Sequence, residues 1–190
     1  MERKVSVGVS NRHVHLCEHD FKILFGNEAE LEVVKELVQP GEFASNCFVT
    51  IKTEKSEIEK VRVLGPIRSY TQVEISLTDA FKLGVKPPVR DSGDLVGSEG
   101  VTLIGPNGSI DLNEGCIIAT RHIHITPEQV HEFGFDGLKS VNVELPGDKG
   151  GVLYNVQLKI SPKFAFEMHI DTDDANAHMV KTGDIARIIK

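Results

Sequence analysis

Apolar and polar positions alternate with a period of two along much of the chain. Val5, Val7 and Val9 do so, as do Val61 and Val63, then Val73, Ile75 and Leu77. Val141, Val143 and Leu145 repeat the pattern, and so do Val156, Leu158 and Ile160. Side chains of a strand point alternately to its two faces, so this pattern predicts half-buried β-strands. Helical periodicity is confined to short stretches, and helices are expected over residues 18–26, 28–38, 78–83, 127–133 and 172–180. Thr126 is the expected N-cap of the fourth of these, with Pro127 at its first helical position. Gly-Pro-Asn-Gly at 105–108 and Pro-Gly-Asp-Lys-Gly-Gly at 146–151 read as a turn and a hairpin tip. The proline- and glycine-rich stretch 86–100 reads as a long functional loop or a linker. The fold class is therefore mainly β, of the barrel or sandwich kind.

Composition narrows the function classes. The chain has 190 residues, 40 % of them apolar and 26 % charged, which suits one domain or two small ones with a real core. Its net charge of −7 argues against nucleic acid as a partner, but a local basic cluster still allows a small anionic ligand. No apolar run reaches the ~20 residues of a membrane span, and the N-terminus lacks the apolar core of a signal peptide. The three cysteines, Cys17, Cys47 and Cys116, are odd in number and far apart, so free thiols in a reducing cytoplasm are expected. Cys47 and Cys116 read as core fillers.

Self-similarity changes the picture most. Residues 9–16 read VSNRHVHL and residues 118–125 read IATRHIHI, each followed by a predicted helix. A second pair of segments, 61–80 and 156–175, aligns Val61 with Val156, Ile75 with Ile170, Asp79 with Asp174 and Ala80 with Ala175. This register sets Arg68 against Lys163 and Glu74 against His169. On a strand, His13 and His15 share one face at roughly 6.5–7 Å along the chain, and so do His122 and His124. Two imidazoles so spaced close on one metal ion, and a catalytic site takes about three protein ligands. The repeat offers Glu74 as third donor in one copy and His169 in the other, with Cys17 a rival in the first. Nitrogen and oxygen donors suit zinc, cobalt, iron or manganese. Arg68 lies just upstream of Glu74, where a guanidinium would bind an oxyanion such as phosphate or carboxylate. Arg12 and Arg121 face away from the imidazoles, a place for joining the two halves rather than for touching substrate. His19, His131 and His178 read as surface histidines of helices.

At these residues the chain resembles the PduL-type phosphotransacylases (phosphate propanoyltransferases), through VSNRHVHL, GPIRSYTQVEISLTDA, PVRDSGDLVGSEG, RHIHI and HIDTDDANA. The resemblance implies two small β-barrel domains capped by short helices, with an active site between them. The first would span 12–120, and the second would be discontinuous, 1–11 with 121–190. It implies a reversible transfer of a short acyl group, acetyl or propanoyl, between CoA and inorganic phosphate, giving acyl phosphate. Two zinc ions per chain are implied, one on His13, His15 and Glu74 and one on His122, His124 and His169. Arg68 matches the phosphate-binding arginine. Ser10, Lys35, Arg62, Leu64 and Asn176 match positions lining the CoA site, and Ser92 is a candidate for the phosphate side. The expected partners are acyl-CoA, CoA and phosphate, with no nucleic acid and no membrane, in a cytoplasmic homodimer. Two departures stand out: GSEG lacks the proline often found before the last glycine, and no amphipathic extension of the microcompartment-targeting type precedes the first strand.

Two rival readings make different demands. A metal-dependent hydrolase also uses H-x-H on an early strand, but its eight-stranded barrel needs ~250 residues and long helices. A non-catalytic metal-binding module would keep the histidines and show no CoA-linked activity. No Ser-His-Asp set or reactive cysteine is evident, so direct attack by phosphate is expected rather than an acyl-enzyme.

Overall fold

The structure is a computed structural model and describes residues 3–189; Met1, Glu2 and Lys190, ends of the expected second domain, lie outside the described residues. In chain order its elements are β1 (Arg3–Ser10), β2 (His13–His15), α1 (Glu18–Phe25), β3 (Val33–Glu36), β4 (Phe43–Lys52), β5 (Glu57–Gly65), β6 (Gln72–Glu74), α2 (Leu77–Leu83) and β7 (Val89–Arg90). There follow β8 (Glu99–Ile104), β9 (Ser109–Ala119), β10 (His122–Ile125), α3 (Pro127–Phe133), β11 (Ser140–Leu145), β12 (Gly151–Ile160), β13 (Glu167–Asp171), α4 (Thr172–His178) and β14 (Ile185–Ile189). Strands dominate and the helices are short, as the alternation predicts.

The chain forms two compact units. One comprises Arg12–Leu37 and Gly41–Ala119; the other comprises Met1–Asn11, Val38–Pro40 and Thr120–Lys190. In the first, β4, β5, β2, β6, β9 and β8 close a six-stranded barrel, with β3 and β7 attached at its margins. Its core holds Val14, Val49, Ile51, Val61, Val63, Val73, Leu103 and Cys116, the inward residues of those strands. In the second, β1, β13, β10, β12, β11 and β14 close another barrel, around Val5, Val7, Ile123, Val141, Val143, Val156, Met168 and Ile188.

The internal repeat is a repeat of strand pairing. The H-x-H strand β2 runs parallel to β5 and antiparallel to β6, and β6 runs parallel to β9. Likewise β10 runs parallel to β12 and antiparallel to β13, and β13 runs parallel to β1. The strands immediately before the two H-x-H motifs are thus exchanged: β1 precedes β2 yet completes the barrel of β10, while β9 precedes β10 and completes the barrel of β2. Both copies carry the same bulge. Thr50 of β4 opposes two residues of β5, Glu59 and Lys60, with Lys60 at φ 56°; Asn142 of β11 opposes two residues of β12, Tyr154 and Asn155, with Asn155 at φ 58°. A left-handed non-glycine residue is uncommon, and here it adds the extra residue that bends each strand.

Helix ends follow local chemistry. Ser76 and Asp79 form a capping box at α2, and Thr126 and Gln129 form one at α3, where Pro127 opens the first turn. Gly84 and Gly134 stop these helices in the left-handed conformation. Two expectations are corrected. Residues 28–38 contain no helix: Val33–Glu36 is strand β3, paired with β4 through Val33–Ser45 and Glu36–Phe43. The β-branched pair Val33-Val34 suits an extended backbone, and edge pairing outweighs the helical propensity of the surrounding Glu, Leu and Lys residues. The alternation through Leu77 also overruns its strand, because Ser76 caps α2 and Leu77 starts it, exposed. The two turns form as expected, with Gly105 N–H donating to the Gly108 carbonyl at 2.9 Å and residues 146–150 linking β11 to β12.

Candidate functional site

In the first unit, β2 lies between β5 and β6 with His13 opposite Glu74 and His15 opposite Gln72. Alternation turns His13 and His15 to one face, where their rings stand 5.0 Å apart and nearly perpendicular. One donor atom each from His13, His15 and Glu74 lies within 4.8 Å of the others, and among the described residues this is the group of three that meets that spacing. His13 Nε2 lies 3.4 Å from Glu74 Oε2. Both histidines are buried, and His15 Nδ1 has no hydrogen-bond partner. Burial holds His15 well below the usual imidazole range; His13 and the Arg68 guanidinium push the same way, and Glu74 and the Leu64 backbone oppose them. A buried lone pair without a donor is costly unless a cation takes it. The donor set and the orphan nitrogen fit a borderline divalent cation. Cys17 stands outside this group and is the residue before α1, in its N-cap position, with no capping bond from its side chain.

A hydrogen-bonded guanidinium, that of Arg68, adjoins the triad. Arg68 is fixed by its backbone N–H to the Leu16 carbonyl at 2.9 Å. Its Nη1 donates to Ser92 Oγ at 3.1 Å and its Nη2 to Glu42 Oε1 at 3.1 Å. Ser92 also accepts from Gln72 Nε2 at 2.9 Å, and the same amide donates to Glu74 Oε1 at 2.5 Å. The stretch 86–100 is therefore a loop pinned inside its own unit, not a linker. Neither Glu42 nor Gln72 was singled out from sequence.

The second unit brings three imidazoles together in the corresponding strands, although their ligand atoms do not meet the 4.8 Å spacing of the first group. His122 lies opposite His169 across β10 and β13. Ring centroids of His122 and His169 are 5.2 Å apart, of His124 and His169 4.8 Å, and of His122 and His124 4.7 Å. His122 Nδ1 is 2.7 Å from the Thr120 carbonyl, and with Nδ1–H donating there the neutral ring keeps its lone pair on Nε2. His124 Nδ1 and His169 Nε2 are buried without a hydrogen-bond partner. Burial, with Lys159 and His169 nearby, pushes His122 down to about 2 and, in the reverse order of those neighbours, His124 down to about 3. The ring of Phe164 stacks on His124 at 4.2 Å. Glu167 Oε2 approaches His169 Nε2 at 3.1 Å without hydrogen-bond alignment.

The remaining candidates spread over both units. Arg62 pairs with His13 in register, lays its guanidinium 4.3 Å over the Phe48 ring and donates to the Ser45 carbonyl. Leu64 follows on the same strand, opposite Ala44. Lys35 lies on the exposed margin strand β3 and is not drawn into the triad. Ser10 pairs with Asp171, the N-terminal cap of α4, and Asn176 is exposed on that helix. Arg12 and Arg121 bind carboxylates of their own units, Asp79 and Asp174. His131 contacts Asp136, and His178 reaches the Lys149 carbonyl, away from both triads.

Comparison with known proteins adds the chemistry. A family model described as phosphate propanoyltransferase matches residues 6–181. The chain is 51 % identical over 190 residues to the phosphate propanoyltransferase of Thermotoga maritima, covering all of this chain and 90 % of that one. It is 47 % identical over 187 residues to that of Rhodopseudomonas palustris, covering 98 % and 83 % of the two chains. With the protein of the same name from Priestia megaterium it shares 51 % over 180 residues, covering 95 % and 83 %. No helix among the described residues is long and apolar enough to cross a membrane.

Proposed function

This chain belongs to the phosphate propanoyltransferase family, and from that premise we propose that it moves a short acyl group, acetyl or propanoyl, reversibly between CoA and inorganic phosphate with divalent metal, zinc by preference, held on one His-His-Glu set and one set of three histidines. The observation that carries the reading is the meeting of His13, His15 and Glu74 beside a guanidinium already donating to a hydroxyl loop. His122, His124 and His169 are the second ligand set. The unpartnered buried nitrogens of His124 and His169, and the burial that pushes His122 and His124 down to about 2 and about 3, support it.

The chain's own residues divide the work. A divalent cation at such a site would supply Lewis-acid stabilisation of negative charge developing on the thioester oxygen or on the departing thiolate. Arg68 presents its planar fork to phosphate, for which two parallel hydrogen bonds to oxygens are the favoured geometry. Ser92 Oγ, 3.1 Å from Arg68, adds a second polar group on the same side. Holding phosphate there turns a bimolecular attack into an effectively unimolecular one, worth ~7–11 kcal/mol in favourable cases. A phosphate oxygen bonds the thioester carbonyl carbon, the C–S bond breaks, and the sulfur leaves as CoA thiolate. Two of the three thiols are unsuited to an acyl-enzyme route: burial pushes Cys116 up to about 12 and raises Cys47. Arg62, Leu64, Lys35, Ser10 and Asn176 are proposed to line the CoA side. The stacked Arg62–Phe48 pair supports that for Arg62, since a guanidinium on a ring suits a flat, charged ligand.

The test is thiol release from acetyl-CoA and propanoyl-CoA, with and without phosphate, alongside metal quantification. Phosphate-dependent release with bound zinc is expected. Release that ignores phosphate would point to a hydrolase, and an acylated protein accumulating without phosphate would refute direct attack.

A further inference from the structure

We infer that Gln72 is a positioning residue that ties the third metal ligand to the Arg68 guanidinium, so that one buried amide sets both halves of the site; the inference rests on the reading above. Gln72 is fully buried on β6, two residues before Glu74 and on the same face. All its polar capacity goes to the site. Nε2 donates to Glu74 Oε1 at 2.5 Å and to Ser92 Oγ at 2.9 Å, and Oε1 accepts from Gly93 N–H at 2.7 Å. Arg68 donates to the same Ser92 oxygen. A continuous path therefore runs from the guanidinium through Ser92 and Gln72 to the ligating carboxylate. Buried amides are satisfied in most proteins, so satisfaction alone would not distinguish a core glutamine.

The other copy of the repeat supplies the distinction. Gln72 lies opposite His15, and Glu167 lies opposite His124, so the two occupy one register position. Glu167 is also buried, and it also approaches the third donor of its triad, His169, at 3.1 Å. Gly8 makes room for it, since a Cβ there would meet the Glu167 carboxylate at 3.0–3.2 Å. The position thus faces the third donor in both copies with a complementary group. An amide N–H faces the carboxylate of Glu74, and a carboxylate faces the imidazole of His169. Each triad together with this neighbour contains one carboxylate, placed at 74 in one copy and at 167 in the other. Groups that orient a metal ligand from behind change metal affinity when removed.

The experiment uses the full chain stripped of metal and titrated with Co²⁺, read by its d–d absorption, together with steady-state kinetics of the zinc-loaded chain. Gln72→Met keeps length and removes every hydrogen bond; Gln72→Asn keeps the amide but shortens it, and serves if the first variant does not fold. Both are expected to lower Co²⁺ affinity about 10–100-fold and to raise KM for phosphate about tenfold, with KM for acyl-CoA within twofold. Ser92→Ala should raise KM for phosphate and leave Co²⁺ affinity unchanged. A residue that merely fills the core would lower the melting temperature without moving cobalt affinity or splitting the two KM values, and that result overturns the inference. Equal rises in both KM values would overturn it too. Failure of the parent reading looks different: the unaltered chain would then show no phosphate-dependent thiol release, while the cobalt titration would still report on Gln72.

Discussion

The two copies of the repeat share one ion pair in different surroundings, which allows its worth to be worked out by comparison. Arg12 grips Asp79 with Nε–Oδ2 at 2.8 Å and Nη2–Oδ1 at 2.7 Å, and the aspartate side chain is only 5 % exposed. Arg121 reaches Asp174 at 3.3 Å through Nε, and that aspartate is 23 % exposed. Asp79 also closes the capping box of α2, whereas the cap of α4 is Asp171. Burial raises the Asp174 carboxyl pKa despite Arg121, so its charge is poorly compensated. Replacing Asp79 by Ala removes a capping contribution of about 1 kcal/mol. It also breaks a pair whose loss would cost about 3–5 kcal/mol if fully buried; Arg12, 35 % exposed, regains part of its hydration, leaving about 2 kcal/mol. The total is about 3 kcal/mol. Asp174→Ala loses a longer, wetter contact and relieves a desolvated carboxylate, for about 1 kcal/mol or less. The gap of about 2 kcal/mol is roughly a thirtyfold difference in folding constant. Urea titrations followed by circular dichroism, at unchanged m, would measure it. Because Arg12 precedes His13 and Asp79 follows Glu74, the first variant should also weaken metal binding. Equal losses, or a larger loss at Asp174, would refute the reasoning.

Arg68→Ala should raise KM for phosphate at least tenfold and leave KM for acyl-CoA near its original value, by initial-rate kinetics; equal changes would remove Arg68 from the phosphate side. Acid should destabilise the metal-stripped chain. His122 and His124 titrate at about 2 and about 3 when folded, so below pH ~6.5 the unfolded chain binds more protons. Stability present above that pH should then fall by up to about 3 kcal/mol per pH unit as the pH drops toward the folded values. Urea midpoints that stay flat between pH ~7.5 and ~5.5 would contradict this. Chelation should lower the melting temperature, and free zinc at a hundred times its dissociation constant should restore about 2.7 kcal/mol for each site filled. Cys116 should resist a thiol reagent until the chain unfolds, because burial holds its pKa up at about 12.

Much of the fold could be read from local pattern. Alternation through Val5–Val9 and Val141–Leu145 reports strands because each is buried on one face. Aligning 61–80 with 156–175 placed Glu74 against His169, and the structure sets each opposite the first histidine of its own H-x-H strand. Residues 28–38 were misread because the pairing of β3 with β4 is a tertiary contact that outweighs local propensity. Glu42 and Gln72 were missed for a related reason. Glu42 reaches Arg68 across 26 positions and Gln72 reaches Ser92 across 20, and nothing in the spacing of either announces a partner so far away. For Gln72 one clue was available, the register itself, which aligns it with Glu167, each two residues before the third donor of its set.

The exchange of leading strands has a consequence for how the protein is made. One barrel is assembled from a nearly unbroken run of sequence, and its last strand, β9, has been synthesised by residue 119. The other needs β1 to hydrogen-bond with β13 and β14, which follow it by more than 150 positions. During vectorial synthesis β1 therefore waits as an unpaired, valine-rich edge while more than a hundred later residues leave the ribosome. The half bearing His122, His124 and His169 closes only when the tail arrives, which makes it the slower-maturing and more aggregation-exposed part of the molecule.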